Sequence, residues 1–252
     1  MANEEHRPNV VLLTAAVSPT TSGKIAVRDP AIRLRQYQGA IARWASALHG
    51  SLFRLVVVET TGEPAEKLLA GLGKTESSRV RVLDYSPTPQ ELARGKGAVE
   101  IASIRHVIAQ EMLDANSTLF KCTGRLVVVN ARRIIEPLGD SVVRSRMTAD
   151  RSWVDTRFIG AVVGTWTEQL FRDIDLVDDD AGRYLERVMA ARLSYESAIN
   201  GVRLERFHER PLFEGVSGTH GARYSSSAAS IRDRLFRPVE SVLGAVAARK
   251  QI

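Results

Sequence analysis

Ser117 to Asn130, STLFKCTGRLVVVN, sets two apolar runs on either side of the polar insert Lys121-Cys122-Thr123-Gly124-Arg125. Leu, Val and Phe suit buried strands, and a glycine between Thr and Arg permits a turn. The insert is therefore expected where a strand end meets a pocket, with Lys121, Thr123 and Arg125 able to hold phosphate oxygens. The alternative is a hairpin whose turn charges are simply solvated. Cys122, the lone cysteine, reads as a small packing residue, since nothing nearby in sequence supplies the base a nucleophilic thiol needs.

Working outward, the segment before this stretch is Gly95-Lys96-Gly97 and a helix with Ile101, Ile104, Ile108 and Met112 as its apolar stripe. Glycines beside Lys96 at a helix start can let backbone N–H groups approach a phosphate, or can be a plain flexible linker. Further upstream, Val10 to Val17 (VVLLTAAV), Leu52 to Val58 and Arg79 to Asp84 read as strands. Asp29-Pro30 starts a helix with a carboxylate cap and a proline in the first turn, and Leu34, Tyr37, Ile41, Trp44 and Leu48 form its stripe. Strand, helix, strand, helix, strand argues for a sheet with helical crossovers.

Ligands gather at the ends of such strands. Ser18 to Lys24, SPTTSGK, follows the first strand but lacks the first glycine of a P-loop and has Ile25 where a magnesium-binding hydroxyl should stand, so that motif is rejected. Arg28 and Arg33 lie near the strand end and helix start, and Glu59 with two threonines ends the second strand, where it can grip a base or ribose or merely form a turn.

After Asn130 the chain is irregular to Asp150, a candidate loop over the site. Trp153 to Val163 resumes a strand pattern, with Asp155 and Arg157 on one side as a buried salt bridge or an acceptor-binding pair. Asp178-Asp179-Asp180 precedes a helix whose expected apolar face is Tyr184, Leu185, Val188, Met189 and Leu193. Glu186 on that helix is a candidate general base or an ordinary surface glutamate. Phe213 to Tyr224 has the composition of a ligand-closing loop, in which His220, Arg223 and Tyr224 can contact a diphosphate. Ala228 to Ile252 reads as a basic amphipathic helix, packed on the domain or docked on anionic lipid.

Composition bounds these readings. The 252 residues are 44% hydrophobic and 25% charged, which is ordinary for a globular chain able to bury a sizeable core. A net charge of +6 favours anionic partners, while 6% aromatics and the absence of an arginine-rich run interleaved with them disfavour a dedicated nucleic-acid binder. One cysteine excludes an intrachain disulfide and a cysteine-built zinc site. No apolar run approaches a membrane span, so the expected location is cytoplasmic, with peripheral attachment to the inner face of the cell membrane as the extension.

The first strand, Arg28-Asp29-Pro30, VVVETTG, the GKG helix, FKCTGR and the late YLE and GVSG segments together resemble bacterial glycosyltransferases of the GT-A type that build cell-surface glycans from nucleotide sugars. The resemblance covers roughly residues 8 to 226. It implies an α/β fold with a central, mostly parallel Rossmann-like sheet flanked by helices. Residues 1–226 would form one catalytic domain, binding the nucleotide sugar in the N-terminal half and the acceptor in the C-terminal half, with 227–252 as the C-terminal helix.

It also implies transfer of a sugar from a nucleotide-sugar donor to a hydroxyl of a glycan or lipid-linked acceptor. Many such enzymes carry an Asp-x-Asp metal motif where this chain has Lys121 to Arg125. The expectation is therefore metal-independent transfer without a cofactor, in which cations stabilise the leaving diphosphate. The fallback is a divalent cation at Asp178, Asp179 and Asp180. Glu186 is the first candidate for the base and Asp155 the second. Donor contacts fall to Arg28, Arg33, Glu59, Lys96, Lys121, Thr123, Arg125, His220, Arg223 and Tyr224, and acceptor contacts to Asp155 and Arg157. The competing readings are another nucleotide-dependent transferase and an inactive nucleotide-binding or membrane-docking scaffold.

Overall fold

The computed structural model describes residues 9–21, 25–217, 221 and 223–224. His220 and the C-terminal segment 227–252 lie outside them. The strands are β1 (Asn9–Ala15), β2 (Phe53–Glu59), β3 (Val80–Asp84), β4 (Thr118–Thr123), β5 (Leu126–Val128), β6 (Val142–Arg144), β7 (Phe158–Val162), β8 (Arg203–Glu205), β9 (Phe213–Val216) and β10 (Arg223–Tyr224). The helices are α1 (Pro30–Ala47), α2 (Ala65–Leu68), α3 (Lys74–Ser77), α4 (Pro89–Ala93), α5 (Lys96–Gln110), α6 (Ala131–Ile134), α7 (Val163–Thr165) and α8 (Leu185–Ile199).

Seven strands form the central sheet in the order β3-β2-β1-β4-β7-β6-β8, and β10-β9-β5 form a small second sheet. Pairs β2–β3, β1–β2, β1–β4 and β6–β8 are parallel, while β7 runs antiparallel to both β4 and β6. The mostly parallel α/β sheet expected from the sequence is what folds.

Strand alternation sorts the core into two layers. Val11 and Leu13 of β1, Leu55 and Val57 of β2, and Phe120 and Cys122 of β4 pack with Tyr37, Ile41 and Trp44 of α1. Val10, Leu12, Val56, Val58 and Leu119 point the other way, onto Ile101, Ile104 and Val107 of α5 and Leu185, Met189 and Leu193 of α8. Strands buried on both faces read as continuous apolar runs, which is why β1 and β2 were legible. Helix α1 begins where Asp29 caps it, accepting hydrogen bonds from Ala31 N (2.8 Å) and Ile32 N (3.1 Å), with Pro30 in the first turn.

Several expectations need correction. Met112 lies beyond the end of α5 and is 72% exposed, so it is no part of the stripe. Residues 153–157 are not strand, because β7 starts only at Phe158. Tyr184 stands at the N-cap of α8, outside its apolar face, and is 39% exposed. Of the segment expected as a loop over 213–224, the described residues form β9 and β10, with β9 paired antiparallel to both β5 and β10, while 218–220 and 222 lie outside the described residues. Among the described residues, no helix is long and apolar enough to cross a membrane.

Candidate active site

The strand order reverses direction of growth between β1 and β4, both of whose C-terminal ends open into one cleft of about 790 Å³. Such a switch point is where open α/β sheets leave a crevice for ligands. Thr14 to Ala16, Thr60 and Thr61, the first turns of α5, Thr123, Arg125, Arg146 to Ala149, Trp153, Asp155 to Arg157 and Glu186 line it.

The floor is built from β4. Lys121 pairs with Leu12 and Ile159 across the sheet, so its side chain leaves on the α5 face and is only 1% exposed. Its Nζ donates to Glu100 Oε1 (2.6 Å), to the Thr156 carbonyl (2.7 Å) and, more weakly, to Thr123 Oγ1 (3.4 Å). Thr14 Oγ1 donates to the same Glu100 oxygen at 2.9 Å. An ammonium has three donors, and all are used here. Lys121 therefore lies beneath the cleft lining, and the solvated-turn reading of the insert is wrong for both of its cations. Arg125 is 4% exposed and donates to Gln36 Oε1 at 2.9 Å; burial lowers the pKa of its guanidinium.

Gly124 lets β4 turn into β5 against β1. Its N–H donates to the Thr14 carbonyl at 3.1 Å, and a Cβ there would stand 2.4 Å from that oxygen. Cys122 is fully buried, and burial pushes its thiol up to about 12. It is a packing residue.

The carboxylates differ sharply. Asp155 is locked on Arg157, which reaches its two oxygens at 2.8 and 2.6 Å, and Arg157 N adds a third bond. Burial disfavours the charge of Arg157, but its bonds to Asp155 outweigh that and its pKa is raised. Its guanidinium also lies 4.7 Å from the Phe213 ring centre and 5.3 Å from that of Tyr224. Glu186, in the first turn of α8, accepts one bond from Thr156 Oγ1 at 3.1 Å. Burial raises the pKa of Glu186, the negative charge of Glu100 adds to this, and Thr156 and Lys121 oppose it.

Of the expected donor residues, Arg33, Lys96, Thr123, Arg125 and Tyr224 line the cleft. Arg33 is committed to the Ala16 and Val27 carbonyls, so it fixes the exit of β1. Arg28 and Arg223 are exposed and outside the lining. Glu59 is wholly enclosed below it, accepting from Val17 N, Thr61 N, Thr61 Oγ1 and Glu63 N at 2.6–3.0 Å. Its oxygens are filled by the chain, which removes it from base or ribose contact.

The Gly95-Lys96-Gly97 turn also differs from a phosphate cradle. Asp179 Oδ2 accepts from Gly97 N at 3.2 Å, and a Cβ on Gly95 would meet the Asp179 side chain at 2.7 Å. The glycines are needed by that close approach. Burial raises the pKa of Asp179. Asp178 is instead bound to Arg183 (2.8 Å), so the aspartate run disperses; among the described residues no group of three His, Cys, Asp or Glu side chains could hold a metal.

Sequence reading missed Glu100, Thr14 and Thr156. Glu100 left a signal: it stands four residues before Ile104 and seven before Val107, on the buried face of α5. Thr14 and Thr156 are single hydroxyls with no spacing to mark them.

No family model matches the chain, and no curated protein does. Solved structures that resemble it include the galactosyltransferase LgtC in complex with donor and acceptor sugar analogues, at 10% identity over 79% of this chain and 74% of that one, TM-score 0.48. Glycosyltransferase GlyE of Streptococcus pneumoniae TIGR4 matches at 11% identity over 80% of this chain, TM-score 0.47, and only 45% of GlyE is covered. 4-diphosphocytidyl-2C-methyl-D-erythritol synthase matches at 14% identity over 90% and 98% of the two chains, TM-score 0.41. At such distances the functional reading rests on the cleft's own residues.

Proposed function

We propose that the protein is a glycosyltransferase that moves a sugar from a nucleotide-sugar donor to a hydroxyl of a glycan or lipid-linked acceptor, with side-chain cations rather than a metal ion stabilising the leaving diphosphate. One observation carries this reading: a cleft at the β1/β4 switch point brings hydroxyls and cations together with the half-buried Glu186.

The nucleotide would occupy the side formed by the ends of β1 and β2, where the Thr60 and Thr61 hydroxyls are already turned onto the Ala15 carbonyl and Glu59 Oε1 and serve to fix the wall. Lys96 and Arg125 are the cleft-lining cations suited to the diphosphate, whose negative charge grows as it leaves. The acceptor oxygen attacks the anomeric carbon and its proton passes to a Glu186 oxygen. The bond from that carbon to the diphosphate oxygen breaks, and the nucleoside diphosphate departs with the electron pair. Asp155 is less suited to the proton because Arg157 already occupies both of its oxygens. Its place is in shaping the acceptor wall.

Glu100 supplies a second carboxylate. Lys121 and Thr14 anchor Oε1 from below, while the residue itself lines the cleft, so Oε2 can accept a sugar hydroxyl. A thermal-shift screen of nucleoside-diphosphate sugars, with and without EDTA, tests the reading. Stabilisation by one donor that survives chelation is expected. Loss of that shift on chelation would overturn the metal-free mechanism, and no shift with any donor would overturn the transferase.

A further inference from the structure

Trp153 on the acceptor wall, with Tyr184 beside it, is not absorbed by this chemistry. Trp153 lines the cleft yet is 38% exposed, and Tyr184, its ring centre 6.2 Å away, is 39% exposed. The chain's other two tryptophans, Trp44 and Trp166, are fully buried with their indole N–H groups bonded to the Leu126 and Leu119 carbonyls. Leu52, Met112 and Ile199 are more exposed than Trp153, and what sets Trp153 apart is its place in the cleft lining.

The turn that carries Trp153 is held through its backbone. Trp153 N donates to Thr148 Oγ1 at 3.1 Å and its carbonyl accepts from Thr148 N at 2.9 Å. Asp150 staples the turn between them, accepting from Thr148 Oγ1 (2.6 Å), Ser152 N (3.1 Å) and Ser152 Oγ (2.8 Å). Val154 N then donates to the Glu186 carbonyl at 3.2 Å, joining the segment to the start of α8. Trp153 stands two residues before Asp155, and Tyr184 two residues before Glu186. The Val154 bond and the contact between the two rings thus join the Trp153 turn to the start of the helix that carries Glu186.

Resting on the transferase reading, we infer that Trp153, braced by Tyr184, is the stacking platform of an acceptor subsite for a pyranose ring. A pyranose has an apolar face of C–H groups and a rim of hydroxyls. The indole covers the first, and Glu186 reaches the second. An indole on a fixed backbone has only its two side-chain torsions to lose when it stacks, which favours a weakly held neutral sugar. The acceptor is therefore recognised by its terminal sugar rather than by a lipid or peptide carrier.

Because only Trp153 of the three tryptophans is exposed, the intact protein reports on the site. Acrylamide quenching of its fluorescence is measured with a panel of methyl pyranosides, beside the thermal shift given by nucleotide-sugar donors. At least one pyranoside should protect Trp153. Trp153→Ala should raise the KM for that acceptor about 10-fold, the scale of an aromatic contact, while the donor shift is retained and Trp153→Phe restores most of the affinity. A normal donor shift with no protection by any pyranoside would overturn the platform and leave the transferase standing. Protection without any donor shift would overturn the acceptor assignment together with the transferase.

Discussion

Lys121 Nζ lies 2.6 Å from Glu100 Oε1, and the same ammonium reaches the Thr156 carbonyl, so one buried charge joins β4, α5 and the segment leading into β7. Removing one partner of such a pair strands the other. Lys121→Met should lower stability by about 2 kcal/mol, less than for a fully enclosed pair because the Glu100 side chain is 24% exposed. Urea unfolding measures it. Adding Glu100→Gln should recover part of the loss, whereas additive losses would show that the two charges are uncoupled.

Glu186→Gln should reduce transfer by about 10²- to 10⁴-fold, the usual worth of a positioned base, with donor binding retained. The raised pKa of Glu186 sets the pH profile: activity falls as the carboxylate gains its proton, so the acid limb lies above the ordinary glutamate value of 4.5. A limb at the ordinary value, or full activity in the variant, removes Glu186 from the mechanism.

The same shift has a signature in stability. The folded chain holds the Glu186 proton more tightly than the unfolded chain does, so this contribution is fully present below pH 4.5 and is lost as pH rises through the raised folded pKa. Glu186→Gln has no proton to release. The difference in unfolding free energy between wild type and variant, measured against pH, should change across that window and nowhere else; a flat difference would contradict the shift.

Gly124→Ala drives a methyl group onto the Thr14 carbonyl, a backbone atom of the central strand that cannot swing aside. A loss of about 1–3 kcal/mol is expected from such overpacking, read by thermal or urea unfolding. An unchanged midpoint would mean that β1 and the β4–β5 turn are not so tightly apposed.

Cys122 should resist alkylation while the chain is folded, because burial holds its thiol protonated to about pH 12 and shields it from reagent. Labelling with iodoacetamide should appear only as the chain unfolds in urea. Rapid labelling of native protein would place the thiol at the surface.

How much of this was legible depends on whether the signal was periodic. The apolar runs of β1 and β2 and the stripe from Tyr37 to Leu48 follow from repetition, and each folds as read. Asp29-Pro30 capped α1 because a cap is a local transaction between neighbours. Glu186 was found as a polar residue inside an apolar stretch, and the same argument applied to α5 finds Glu100. What was not legible was commitment: Lys121, Glu59 and Arg33 have the chemistry of ligand-binding groups, but their partners lie up to 42 residues away in the chain, and those partners consume them. Spacing cannot show that a cation is already spoken for.

Glu59 carries that point to the shape of the cleft. Its carboxylate takes hydrogen from Val17, beyond the end of β1, and from Thr61 and Glu63, beyond the end of β2. Two loops distant in sequence are thereby tethered through one side chain, and neither can be lengthened or remodelled independently of the other. Attempts to reshape this end of the cleft would do best to exchange both loops together with the anchoring glutamate, as one cassette.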